Sequence, residues 1–197
     1  AYGNVQTVAG VTALRLPGPA TGAAGTSGPY YQGPTNPAAA NLTGNPVYSI
    51  EAWIYNESPG VGEEIILGWG RRGTDGLNNA FGHGTSPDFG AMGHWGGRDI
   101  GWNGYTQFDR WTHLVYTYDA ATSVQRVYAD GAQRNSETIA GLFIADVGTG
   151  GVAPMRVGAQ NGAAGTVSGV GRPLGLSIGE LRVYSRVLDA TEVTNKF

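Results

Sequence analysis

Apolar and polar residues alternate over short stretches along this chain, and the alternation is cleanest in SIEAWIY at 49–55. With a period of two, Ile50, Ala52 and Ile54 share one face of a strand, while Ser49, Glu51, Trp53 and Tyr55 take the other. Similar stretches, rich in β-branched and aromatic residues and bounded by Gly, Pro, Asn or Asp, lie at 12–16, 47–55, 63–69, 111–119, 124–130, 155–158 and 177–185. That is the pattern of strands. Trp53, Leu114, Tyr116, Val127, Leu181 and Val183 are the expected buried positions, with Trp53 read as core or as a contact between sheets.

Asp130-Gly131 sits between two such stretches, and Asp-Gly supplies the positive φ values of a type I′ turn, so a hairpin is predicted there. TYDAATSVQ gives a second reversal just before it, making 111–135 an antiparallel meander. Only DATEVTNKF at the C-terminus has helical character, with Asp189 and Glu192 spaced as a capping box. Three intervals lack periodicity: 17–46, 70–110 and 136–176. Loops that long in a compact domain are functional, disordered or hide strands, and strands are expected in the second interval at 80–84 and 90–95.

The chain has 197 residues, which fits one domain spanning 1–197, and no cysteine. A chain of this length buries roughly 70% of its unfolded surface and needs no disulfide to hold a core. The missing thiols also exclude zinc-thiolate sites and cysteine nucleophiles. Net charge is −3 and the arginines are scattered, which argues against nucleic acid as a partner. No apolar run reaches the roughly 18 residues of a membrane-spanning helix, so no membrane insertion is expected and the chain reads as a soluble mature domain.

SIEAWIY, WTHLVYTYD, VYADG and IGELRVYSRVLDATEV, in that order and spacing and with ALRLPG as a first strand, resemble the laminin-G-like branch of the concanavalin A-like lectin and glucanase superfamily over about residues 12–195. The resemblance implies an all-β fold, a two-sheet antiparallel jelly-roll sandwich with a short C-terminal helical turn. It also implies first and last strands that pair, a carbohydrate or glycoconjugate ligand or an extracellular protein partner, frequently a structural calcium ion, and a secreted or cell-surface parent protein. Where that family often has Ile-Asp before the last core strand, this chain has Gly179-Glu180, which puts any role of that aspartate in doubt here.

Catalytic signatures are missing. Jelly-roll glycosidases place two carboxylates about 5–5.5 Å apart for a retaining reaction, yet the chain has no Glu-x-Asp. Glu63 and Glu64 are adjacent and so point to opposite faces of a strand. Glu51 and Glu180 stand alone and read as solvated outward positions. There is no His-Glu-x-x-His zinc motif and no Gly-x-Ser-x-Gly elbow, and His113 reads as a packed or exposed strand residue. A noncatalytic module is therefore expected, with a protein-interaction module and a hydrolase or lyase of unrecognised site as alternatives.

The candidate binding region is GAMGHWGGRDIGWNG at 90–104, which sets Trp95 and Trp102 among glycines. A sugar offers apolar C–H faces and a rim of hydroxyls, so its site needs an aromatic plane with carboxylate, amide and guanidinium groups around it. Trp95, Trp102, Tyr105, His94, Arg98, Asp99 and Arg71 are the candidate ligand contacts, with Trp95 and Trp102 expected to form an exposed patch. The same composition admits a structural corner, with Trp69 capping the core and Asp99 bonding local amides. Because Asp, Asn and carbonyl oxygens are what calcium prefers, Asp99, Asp75 and Asp88 are the candidate metal ligands.

Overall fold

A computed structural model describes residues 4–18, 28–57, 61–148 and 151–197. In chain order the strands are β1 (Val5–Val8), β2 (Val11–Pro17), β3 (Tyr31–Gln32), β4 (Tyr48–Asn56), β5 (Ile65–Gly70), β6 (Asn78–Gly82), β7 (Met92–Gly93), β8 (Trp111–Asp119), β9 (Val124–Ala129), β10 (Ala132–Thr138), β11 (Val147–Gly148), β12 (Gly151–Val152), β13 (Arg156–Val157) and β14 (Gly175–Tyr184). They are followed by helix α1 (Ala190–Lys196). A seven-stranded sheet runs β1-β2-β14-β4-β8-β9-β10 and a five-stranded sheet β3-β13-β5-β6-β7, with β11-β12 a small separate pair. All the pairings are antiparallel, and the architecture is a two-sheet jelly-roll sandwich.

The alternation does what its period dictates. Ile50, Ala52 and Ile54 of β4, Leu114 and Tyr116 of β8 and Val127 of β9 all enter one core, where Leu67, Trp69, Phe81 and Met92 meet them from the five-stranded sheet. β2 lies beside β14, with Leu16 opposite Leu176, so the early and late strands pair. Asp130 and Gly131 have φ of 51° and 74° and join β9 to β10, and the capping box at Asp189 and Glu192 opens α1. The ladder shifts by one residue between Ile178 and Glu180 of β14. Gly179 stands at that bulge with the Trp111 ring over it, where a Cβ would come within 3.1 Å of the indole.

The outer face of the seven-stranded sheet is more covered than an outward position suggests. Leu188 and Val193, the latter from α1, pack on Val115 and Tyr128. Trp53 is not core: it is half-buried on this outer face, 5.0 Å from the His113 ring and 5.9 Å from that of Phe197, between centroids. Leu181 and Val183 are likewise only partly buried. Glu51, read as solvated, is buried. Its Oε1 accepts from His113 Nε2 at 3.1 Å, and its Oε2 accepts from the Tyr184 hydroxyl and lies 3.3 Å from Lys196 Nζ. Alternation tells which face a side chain takes and not what a distant segment later lays over it.

Candidate functional site

The glycine-rich stretch makes both a corner and a surface. Met92 and Ile100 form an antiparallel bridge, so residues 93–99 are the tip of a reversal. Asp99 holds that tip: its Oδ1 accepts from the amides of His94 at 2.7 Å and Trp95 at 2.6 Å. His94 and Trp95 then take opposite directions. His94 is fully buried, with Nδ1 donating to the Asn78 carbonyl at 2.8 Å, which leaves Nε2 to accept from the Tyr116 hydroxyl at 2.8 Å. Burial lowers its pKa to about 4, so the ring is neutral near pH 7.

Trp95 is turned outward and is 37% exposed, with φ of 76°. A bulky residue held in the left-handed region is strained, and such strain collects at functional sites. The next residue needs to be glycine: Gly96 has φ of 65°, and a Cβ there would run into the Asp75 carboxylate. Beside Trp95 lies a pocket of about 410 Å³. Trp95 and Phe89 form its aromatic edge, Glu63, Asp88 and Asp99 bring carboxylates, Asn78 and Gln160 bring amides, and Arg72 brings a guanidinium.

Each wall residue has a traceable origin. Asn79 points into the core, where it bonds the Tyr48 hydroxyl, so Asn78 beside it on β6 faces outward. Asn78 Nδ2 donates to the Gly93 carbonyl at 2.9 Å and to Gln160 Oε1 at 3.1 Å, while its Oδ1 is buried without a partner. Gln160 Nε2 in turn donates to Glu63. Glu63 and Glu64 do take opposite faces: Glu64 is buried, bonded by Asn56 and by the Leu174 amide, and burial raises its pKa. The Arg72 guanidinium lies 4.7 Å from the centre of the Trp95 ring, and its Nη1 is buried without a partner. Burial pushes the Asp99 carboxyl up to about 6; its two amide bonds oppose this, and the neighbouring Glu63 and Asp75 charges add to it.

Several sequence candidates lie elsewhere. Trp102 is not in an exposed patch. It is 1% exposed and fills the core, its Nε1 donating to the carbonyls of Gly82 at 3.2 Å and Gly90 at 3.1 Å. Tyr105 is half-buried away from the pocket, its hydroxyl on Asp130 at 2.8 Å and the Arg134 guanidinium 3.5 Å from its ring centre. Arg98 ties the tip to a neighbouring loop through the carbonyls of Ala140 and Gly141, with Asp75 3.6 Å away. Arg72 lines the pocket in place of its neighbour Arg71. Glu63, Phe89 and Gln160 were not among the candidates: segments distant in sequence deliver Glu63 and Gln160, while Phe89 directly precedes the glycine-rich stretch.

A calcium ion on Asp99, Asp75 and Asp88 does not fit this arrangement. Asp99 Oδ1 is committed to two amides, and Asp75 turns to Arg98. Among the described residues, no three His, Asp or Glu side chains converge as metal ligands.

Comparison with known proteins agrees with the fold. Residues 27–194 match the sequence profile of the concanavalin A-like lectin/glucanases superfamily. No curated protein sequence matches the chain. Among solved structures, the CBM40 of a Ruminococcus gnavus IT-sialidase, bound to α2,3-sialyllactose, is similar with a TM-score of 0.62 at 20% identity, over 93% of this chain and 97% of that one. A Bacteroides ovatus protein described as carbohydrate-binding gives a TM-score of 0.58 at 19% identity, over 84% of this chain and 44% of its own. The NanB sialidase of Streptococcus pneumoniae gives 0.53 at 16% identity, over 84% and 27%. The chain thus spans under half of each of these last two proteins.

Proposed function

The chain belongs to the concanavalin A-like lectin/glucanases superfamily, and on that premise we propose that it is a noncatalytic carbohydrate-binding module of a secreted or cell-surface protein. The observation that carries this is Trp95, held half-open in a strained conformation beside a pocket walled by amides, carboxylates and a guanidinium. The ring offers a plane for the C–H face of a sugar, and the surrounding groups offer directed partners for its hydroxyls. The fold's likeness to sugar-binding modules supports the same reading. Two of the carboxylates each give one oxygen to the fold, Asp99 Oδ1 to the tip amides and Glu63 Oε1 to Gln160, and have the other to accept from hydroxyls.

Glycan-array binding followed by calorimetry tests this. Trp95→Ala is expected to weaken binding by about 1–3 kcal/mol, the scale of a lost aromatic anchor. Trp102→Ala is expected instead to cost about 3–5 kcal/mol of folding stability, as emptying a core position does. Absence of any glycan signal from the folded chain overturns the proposal, and release of reducing or unsaturated sugars above a heat-killed control overturns its noncatalytic part.

A further inference from the structure

We infer that the Trp95 pocket selects uncharged sugars and rejects carboxylated ones; this rests on the carbohydrate-binding reading above and sharpens its ligand class. The charges facing the pocket are Glu63, Asp88 and Asp99 on one side and Arg72 on the other. The shallower depression beside it repeats Asp88 and Asp99, adds Glu137 and contains no cation. A ligand entering across this surface meets more carboxylates than cations, with Arg72 the one cation among the residues lining the two depressions.

The two nearby arginines do not reverse that balance. Arg72 is laid over the Trp95 ring, and its Nη1 is shut away from solvent without a partner. It stiffens the aromatic plane and reaches the ligand with only part of its fork. Arg98 is turned to the carbonyls of Ala140 and Gly141 and to Asp75, and it does not line the pocket.

Hydroxyl groups suit such walls. A sugar hydroxyl donating to a carboxylate makes a charge-assisted hydrogen bond, stronger than one between neutral partners. A sugar carboxylate has no proton to donate at neutral pH and places a fourth negative charge among three. Juxtaposed like charges are a general means of suppressing the wrong partner. Burial does most to raise the Asp99 pKa, and the Glu63 and Asp75 charges add a smaller push in the same direction.

The test uses the whole chain and matched ligand pairs: lactose against α2,3-sialyllactose, and neutral oligosaccharides against counterparts bearing a uronic acid. Binding is measured by calorimetry at pH 7.5 and low salt. The expected result is that neutral members bind at least about tenfold more tightly than their carboxylated partners, a gap of roughly 1.4 kcal/mol. In Asp88→Lys, an exposed position where folding is not at stake, the gap should close as the carboxylated members gain affinity; Glu63→Gln should narrow it by a smaller factor. Equal or tighter binding of the carboxylated members by the wild type overturns this inference while leaving the carbohydrate-binding reading intact. No binding of any member overturns both.

Discussion

Two clusters of buried polar groups lie on opposite outer faces of the sandwich and are built in opposite ways. Around Glu51, both oxygens are engaged, by His113, Tyr184, Lys196 and, at 3.7 Å, Arg182, and only His113 Nδ1 lacks a partner. Burial alone would raise the Glu51 pKa, yet the bonds from Tyr184, His113 and Lys196 outweigh it and hold the carboxyl below its ordinary range. Around the Trp95 pocket, Asn78 Oδ1 and Arg72 Nη1 are left unpaired, and the Asp99 carboxyl is pushed upward. Unpaired buried groups cost stability, so the fold carries a cost beside the Trp95 pocket that the matched cluster around Glu51 largely avoids.

The largest effect that follows is on stability alone. Glu51→Ala should cost about 2–4 kcal/mol, somewhat below the figure for a fully sealed ion pair because Lys196 and Arg182 can turn to water. Calorimetric melting should show that loss while sugar affinity stays at the wild-type value. If affinity falls in step with stability, the two clusters are coupled and the contrast between them fails.

Much of the first cluster, and less of the second, was legible in the sequence. Period-two alternation places Glu51 and His113 on the outer face, and the capping box marks the helix that covers this side. What alternation cannot convey is coverage: the Lys196 ammonium that pairs with Glu51 arrives from the far end of the chain. In the glycine-rich tip, His94 and Trp95 do face opposite ways, but beyond the end of β7, where the left-handed φ of Trp95 and not strand alternation turns its ring outward. Trp102 was misread for a physical reason. Glycine around a tryptophan suggests exposure, yet here Gly82 and Gly90 bring bare carbonyls up to the indole, and Gly101 packs so tightly on the Pro87 carbonyl that any Cβ would clash. Gln160 and Glu63 reach the pocket by tertiary folding and carry no local signal.

A smaller effect should separate binding from folding at Trp95. Replacement by glycine removes the left-handed strain, about 1 kcal/mol, and also removes the contact with Arg72, about 0.5–1 kcal/mol at an exposed site. These nearly cancel, so Trp95→Gly should shift stability by no more than about 1 kcal/mol while sugar binding is lost. Chemical denaturation beside calorimetric titration measures both. A stability loss on the scale of Glu51→Ala would mean that Trp95 belongs to the fold after all.

The smallest effect concerns Asp99 and is read from pH. Its carboxyl titrates at about 6 in the fold against 3.8 for the free group, so its ionisation is resisted. Its contribution therefore worsens as pH rises from about 4 to 6, and the cost persists above that. A shift of this size is about 3 kcal/mol if fully sealed, and screening at this partly exposed site reduces it to about 1 kcal/mol. His83 and His94 act the other way. Burial lowers both from 6.5 to about 4, so the unfolded chain takes up protons first and stability is lost as pH falls between those values. Glu64, raised by burial, follows Asp99 in direction but is present in both proteins and cancels in a comparison. Asp99→Asn keeps an oxygen for the amides of His94 and Trp95 and removes the charge. The variant should be more stable than the wild type by about 1 kcal/mol at pH 7, and the two stability curves should converge near pH 4. A variant that is less stable at pH 7 would show that the two short amide bonds require a full negative charge, and would move Asp99 from the open cluster to the matched one.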